Sequence, residues 1–237
     1  MTALTERSSA ASAHPVQNPH GLVDRIAYGP VPSRRYGRTV GVNILPADQK
    51  TCRYSCVYCQ LGHDRGVPLD LGRYPSAGAV GSAIEGFDAG GEPIDALVVC
   101  GNGEPTLHPR LPEVVDAIVS ARDRRFPKVP IVCLTAGTEL GRPEVVRALR
   151  RLDECSVKLD AGRCATLHKV ALPEGPACVV WLVDHIHALG EAVIQTCFFE
   201  GSLSNATEAE VSAWIEAVRR AEPRRVDIYT ISRPPPS

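Results

Sequence analysis

The sequence predicts an α/β fold built on a parallel sheet and curled into a barrel or partial barrel. Three observations carry that expectation. Short β-branched runs alternate with helical patterns along most of the 237 residues. Six such runs stand out, and alternating strands and helices imply parallel strands joined by crossover helices. The later runs pair an apolar face with a polar one. Strands of an open doubly wound sheet are apolar on both faces, whereas a polar face suits the wall of a wet barrel interior.

Residues 1–22 are rich in Ser, Ala, Pro and Thr, lack periodicity, and read as a disordered tail ahead of one core domain, residues 23–237. A single arginine in the first twenty residues argues against a targeting peptide. The first predicted strand, "TVGVNIL", ends near Leu45, and the second, "DALVVC", ends at Cys100. Leu111, Val114, Val115, Ile118 and Val119 then follow the spacing of one apolar helix face. "PIVCLT" ends at Thr135, and Pro143 suits a first helical position ahead of Val145, Val146 and Leu149. In "CSVKLD", Val157 and Leu159 alternate with Ser156, Lys158 and Asp160. A helix is expected from about Ala177 to Leu189, before "AVIQTCFF". Thr207 and Glu210 read as a capping box ahead of Val211, Ile215 and Val218. The last strand, "RVDIYTI", sets Asp227 and Tyr229 opposite Val226 and Ile228. Six residues follow Ile231, which leaves little to cover the open side of a partial barrel.

Composition narrows the function classes. A hydrophobic content of 44% is that of a globular protein, and a net charge of −1 demands no nucleic-acid partner. No apolar run approaches the ~20 residues that span a bilayer. The N-terminus lacks the apolar core of a secretory signal, so a cytoplasmic, reducing location without membrane contact is the expectation. Nine cysteines, an odd number, argue against a disulfide framework there. Cys100, Cys133, Cys155 and Cys197 sit in apolar stretches and read as packing residues.

Cys52, Cys56 and Cys59 need another explanation. In "KTCRYSCVYCQLG" they are spaced C-x3-C-x2-C, in the loop after the first predicted strand. Barrel chemistry gathers at that end of the strands. A [4Fe–4S] cluster is normally held by four thiolates, so three leave one iron open, and an open position is what makes a metal site catalytic. The same trio with His63 is also spaced for a Cys3His zinc site, and three unrelated thiols are a further reading. After the second strand comes "GNGEPTLHP". Gly101 and Gly103 let backbone approach a ligand, and Glu104 offers a carboxylate, although the segment alone is also an ordinary turn. "PSRRYGR" places Arg34, Arg35 and Arg38 before the first predicted strand, either as a phosphate site or as a solvated surface run.

Cys52, Cys56, Tyr58 and Cys59, followed by "GEPTL", resemble the radical S-adenosylmethionine (SAM) superfamily. The longer patterns "YGPVPSRRYGRTVGVNIL", "CGNGEPTLHP", "LTAG" and "VKLDAG" further resemble uncharacterised iron–sulfur oxidoreductases related to tRNA wyosine synthases. The resemblance implies a partial (βα)6 barrel of the TIM-like kind. It implies that Cys52, Cys56 and Cys59 hold one [4Fe–4S] cluster and that SAM completes the open iron. SAM would then be cleaved reductively to a 5′-deoxyadenosyl radical that abstracts hydrogen from a substrate. It places Tyr58 near the adenine and Gly103 and Glu104 at the methionine amino group. Thr135, Lys158 and Asp160 would reach the ribose or the carboxylate, with a structural ion pair as their alternative. Asn102 departs from the commoner glycine at its position. A reductant protein such as flavodoxin or ferredoxin is implied. The residue acting on substrate is not identified, and the substrate, which includes macromolecules among its candidates, is not named by these motifs. A wyosine-synthase-like tRNA modification and a non-catalytic zinc module remain alternatives. Wyosine synthases carry a second cluster on cysteines ahead of the trio. No cysteine precedes Cys52 here, so one cluster per chain is expected.

Overall fold

In the computed structural model, which describes residues 21–232, seven strands form one sheet in the order β1 to β7. β2 (Gly37–Val42), β3 (Ala96–Val99), β4 (Ile131–Thr135), β5 (Glu154–Lys158), β6 (Val193–Cys197) and β7 (Arg225–Tyr229) run parallel, and they are the six expected from sequence. β1 (Ala27–Ser33) was not expected. It pairs antiparallel with β2 through a tight hairpin, with a register shift between Tyr28 and Val31. β1 and β7 are the two edges in that order, so the barrel is partial and open. Most of the expected tail lies outside the described residues, but Leu22, its last residue, is buried.

Six helices carry the crossovers: α1 (Ala77–Glu85), α2 (Leu111–Arg125), α3 (Pro143–Leu149), α4 (Cys164–Ala171), α5 (Val179–Leu189) and α6 (Glu208–Ala221). Their apolar faces meet one face of the sheet, where Val40, Leu97, Ile131, Val157 and Ile194 are fully buried against residues such as Ile118 and Ile186. Among the described residues no helix is long and apolar enough to cross a membrane. α6 starts as expected at Thr207, whose hydroxyl accepts from the Glu210 amide. The other half of the capping box is absent. The Glu210 carboxylate turns away from Thr207 and accepts instead from the Gly162 and Arg163 amides and the Thr166 hydroxyl, at 2.6, 3.1 and 2.8 Å. It thereby ties α6 to the loop after β5.

The opposite face is the barrel interior, and it is polar along β5 and β7, as the alternation in those two strands predicted. The β1–β2 turn folds across it. The Tyr36 hydroxyl donates to Glu154 Oε1 at 2.7 Å, and Arg35 donates to Gln195 Oε1 at 3.0 Å and lies 4.0 Å from Asp227. Arg224 and Arg225 each reach Glu154 at 2.9 Å. The N-terminal end of the barrel is therefore plugged by a charged network. Arg38 is spent on structure too, since its guanidinium donates to the carbonyls of Ala89, Glu92 and Pro93. At the β7 edge, Ile228 is 60% exposed, so the expected apolar face of this strand is only half covered.

Burial, then the Glu154 carboxylate that accepts its proton, push the Tyr36 phenol from 10.0 up to about 12. The raised value means that the contribution of Tyr36 is complete below pH 10 and is lost as pH rises through about 12. We expect the stability difference between the wild type and Tyr36→Phe, measured by urea unfolding, to hold steady below pH 10 and to change across this window. A difference independent of pH would show that the hydroxyl is not held by Glu154.

Candidate functional site

The loop after β2 runs from residue 43 to the start of α1 with little regular structure, so its backbone must find partners elsewhere. It finds them on two sides. On one side the Thr51 amide donates to the Asn102 carbonyl and the Glu104 amide donates to the Thr51 carbonyl, both at 2.8 Å. Gly103 lies between, at φ +138°, and a Cβ there would stand 2.0 Å from the Thr51 oxygen. Only glycine permits this approach. On the other side, Ser55 and Val57 donate to the carbonyls of Ala171 and Val170, each at 2.9 Å, and Glu174 donates to Arg53 at 2.8 Å.

Held in this way, Cys52, Cys56 and Cys59 line one cavity of about 540 Å³ at the C-terminal ends of the strands. Tyr58, Gly101, Gly103, Cys197 and Tyr229 line the same cavity, with Tyr58, Cys197 and Tyr229 packed in one cluster. Three soft thiol donors on one cavity suit an iron–sulfur cluster. Among the described residues, no group of three or more His, Cys, Asp or Glu is arranged to hold a single metal ion. His63 is engaged through its backbone carbonyl, which accepts from the Ser55 hydroxyl. The charged residues on the cavity wall are Arg34 and Lys50.

The remaining residues singled out from sequence fall behind this wall in two groups. Lys158 and Asp160, at the end of β5, form an ion pair of 3.0 Å. Lys158 also donates to Cys56 Sγ at 2.8 Å, and Asp160 accepts from the Tyr58 hydroxyl and from the Cys197 amide. Burial alone would lower the Lys158 ammonium, but Cys56 and Asp160 outweigh it and hold it well above its usual value. Burial, and then the Asp160 charge, raise the Tyr58 phenol. The second group is Glu104 with Thr135. Glu104 is 2% exposed. Its Oε1 accepts from the Thr106 amide at 3.0 Å, from the Thr106 hydroxyl, and from the Thr135 hydroxyl at 2.6 Å, and its Oε2 accepts from the Ala136 amide. Oε1 is thus saturated by the chain itself, whereas Oε2 accepts a single bond and keeps a lone pair for a further donor.

Sequence reasoning missed two supports. Asn102 is fully buried, and its side chain accepts from the Val23 amide at 2.7 Å and donates to the carbonyls of Val23 and Pro46, both at 2.8 Å. A glycine at this position could make none of these bonds, so the departure from the commoner residue has a local reason. Asn205 donates to the carbonyls of Asp160 and Cys197 at 2.8 Å, joining the ends of β5 and β6. Cys197 is packed with Val170 and Phe199 as expected, and it also borders the cavity, whereas Cys133 and Cys155 lie in the main core. An asparagine beside glycine or serine in a loop was the available signal for both amides, but it does not name a distant partner.

The comparison that decides the family is a model for the radical SAM superfamily, which matches residues 48–201. The chain belongs to the radical SAM superfamily. Its sequence is similar to a UPF0026 protein of Helicobacter pylori strain ATCC 700392 / 26695, 30% identical over 225 residues, covering 88% of this chain and 67% of the relative. It is also similar to the UPF0026 protein MJ1312 of Methanocaldococcus jannaschii, 28% identical over 217 residues, covering 89% of this chain and 64% of that one. Among solved structures, Streptococcus suis SuiB bound to S-adenosylmethionine aligns with a TM-score of 0.57 at 12% identity, covering 90% of this chain. The radical SAM chain spans 43% of the length of SuiB. TYW1 with a lysine–pyruvate adduct bound aligns with a TM-score of 0.58 at 15% identity, covering 83% of this chain and 65% of that one. At these identities the structures show a shared fold, the partial barrel.

Glu104→Gln tests the network behind the wall. The amide nitrogen would face a donor wherever it is placed, which strands at least one buried group and costs about 1–3 kcal/mol. Urea unfolding should show that loss, and a variant as stable as the wild type would contradict the bonding described.

Proposed function

We propose that this chain binds one [4Fe–4S] cluster through Cys52, Cys56 and Cys59 and binds SAM beside it in the 540 Å³ cavity. The observation that carries this reading is that all three thiols of the C-x3-C-x2-C motif line one cavity at the active end of a radical SAM barrel. When bound, the reduced cluster supplies the electron that cleaves SAM to a 5′-deoxyadenosyl radical for hydrogen abstraction.

The chain's own residues do the positioning. Gly101 and Gly103 offer bare backbone to the methionine amino group, with the Glu104 charge close behind them. Arg34 and Lys50 give the wall a positive charge that suits a carboxylate. Tyr58 presents its ring toward the adenine, steadied by Asp160 and by an edge contact to Phe199 at 5.7 Å. Thr135 acts on this site only through Glu104. The match to the radical SAM family over residues 48–201 favours a cluster over a Cys3His zinc site. In a cluster each thiolate holds a different iron, so the thiols need not crowd around one point. An external reductant, flavodoxin or ferredoxin in kind, would supply the electron, and the substrate would meet the radical at the open mouth of the barrel.

One cluster per chain is the reading's stoichiometry. Cys133 and Cys155 are packed in the core, Cys100 meets the Tyr28 hydroxyl at 3.3 Å, and Cys164 meets only Cys178 among the thiols. After anaerobic reconstitution, iron and sulfide analysis should give about four irons per chain. A Cys52/Cys56/Cys59 triple-Ala variant should give almost none, and Cys133→Ala should keep its iron. About eight irons in the wild type, with about four surviving in the triple variant, would restore a two-cluster, wyosine-type reading.

A further inference from the structure

Cys164 and Cys178 stand outside the trio's cavity; Cys164 packs at the edge of the core and Cys178 is exposed. Cys164 is the first residue of α4 and Cys178 caps the N-terminus of α5. Their sulfurs are 3.1 Å apart, and a disulfide bond needs about 2.0 Å. Cys178 is exposed and lines an open cavity of about 370 Å³, together with Arg53, Tyr54 and Trp181. A small thiol reagent can therefore reach it. The Cys178 thiol is lowered by its hydrogen bond with Cys164, and next by the backbone amides of Trp181 and Val180, so it is the more nucleophilic partner.

We propose that Cys164 and Cys178 form a reversible disulfide that staples the support of the cysteine loop. The fifteen residues from Cys164 to Cys178 include residues 170–174, whose backbone bonds to Arg53, Ser55 and Val57 and pairs Pro173 with Tyr54. Tyr54 lines both this cavity and the one that holds the trio. Closing the ring fixes the far side of the loop that carries Cys52, Cys56 and Cys59. The oxidant is a low-molecular-weight disulfide. The Cys178 thiolate attacks one of its sulfurs, forming a mixed disulfide and releasing one thiolate. Cys164, losing its proton, attacks Cys178 Sγ and releases the second. The protein gives up two electrons and two protons, and the reagent becomes two thiols. Such exchange is the form in which disulfides occur in reducing compartments.

The test is equilibration of the full chain in glutathione redox buffers, acid quenching, alkylation and peptide mapping. A Cys164–Cys178 link should appear before any other pairing. It should raise the melting temperature by about 5–10 °C. Cys164→Ser should trap glutathione on Cys178, whereas Cys178→Ser should leave Cys164 largely unmodified, and neither variant should show the rise. Hydrogen exchange at the Ser55 and Val57 amides should slow about tenfold in the linked form. Separate alkylation of both thiols while other cysteines are already oxidised would overturn the pairing. A link that leaves those two amides unchanged would overturn its role as a staple.

Discussion

Two backbone hydrogen bonds at Thr51 are the constraint on which the site depends. They join the cysteine loop to Asn102 and Glu104 on the turn after β3. Because Gly103 has no side chain, the two segments touch backbone to backbone. Glu104 then passes the constraint to β4 through Thr135 and Ala136, and Asn102 passes it to the segment entering β1 through Val23. A loop of this length is ordinarily a source of disorder. Here it is held from the ends of neighbouring strands, so the positions of three thiols are set by the sheet.

The opposite support comes from residues 170–174, the end of α4 and the turn that follows it. The cysteine loop is therefore clasped between the turn after β3 and the turn after α4. Lys158 completes this arrangement from the barrel interior, with its ammonium between Cys56 and Asp160 and near the rings of Tyr54 and Tyr58. A buried cation with these partners keeps negative charge on the cysteine side tolerable in a region of low dielectric.

Much of this was legible in the sequence, and the limits have physical causes. The six parallel strands were legible because their short β-branched runs, continuous in β3 and β4 and alternating with polar residues in β5 and β7, suit strands buried on two faces or on one. The cysteine spacing was legible because ligand chemistry is local to thirteen residues. β1 was not, since "AYGPVPS" carries two prolines and a glycine, which propensity assigns to a turn; it is tolerated because the strand is an edge. α1, "AGAVGSAIE", holds two glycines and forms through packing against α2. Asn102, Asn205 and the second acceptor role of Glu210 were invisible because their partners lie far away in the chain. Glu104 was recognised as functional, but its four-way bonding behind the wall depends on where β4 ends, which no local pattern states.

The central claim is that three thiols hold a cluster with one iron open to SAM. Electron paramagnetic resonance of the reconstituted, dithionite-reduced protein tests it most directly. Adding SAM should shift the g-values of a [4Fe–4S]⁺ signal, and that shift should vanish when Cys56 is replaced by alanine and no cluster assembles. A cluster signal that SAM leaves unchanged would contradict the account.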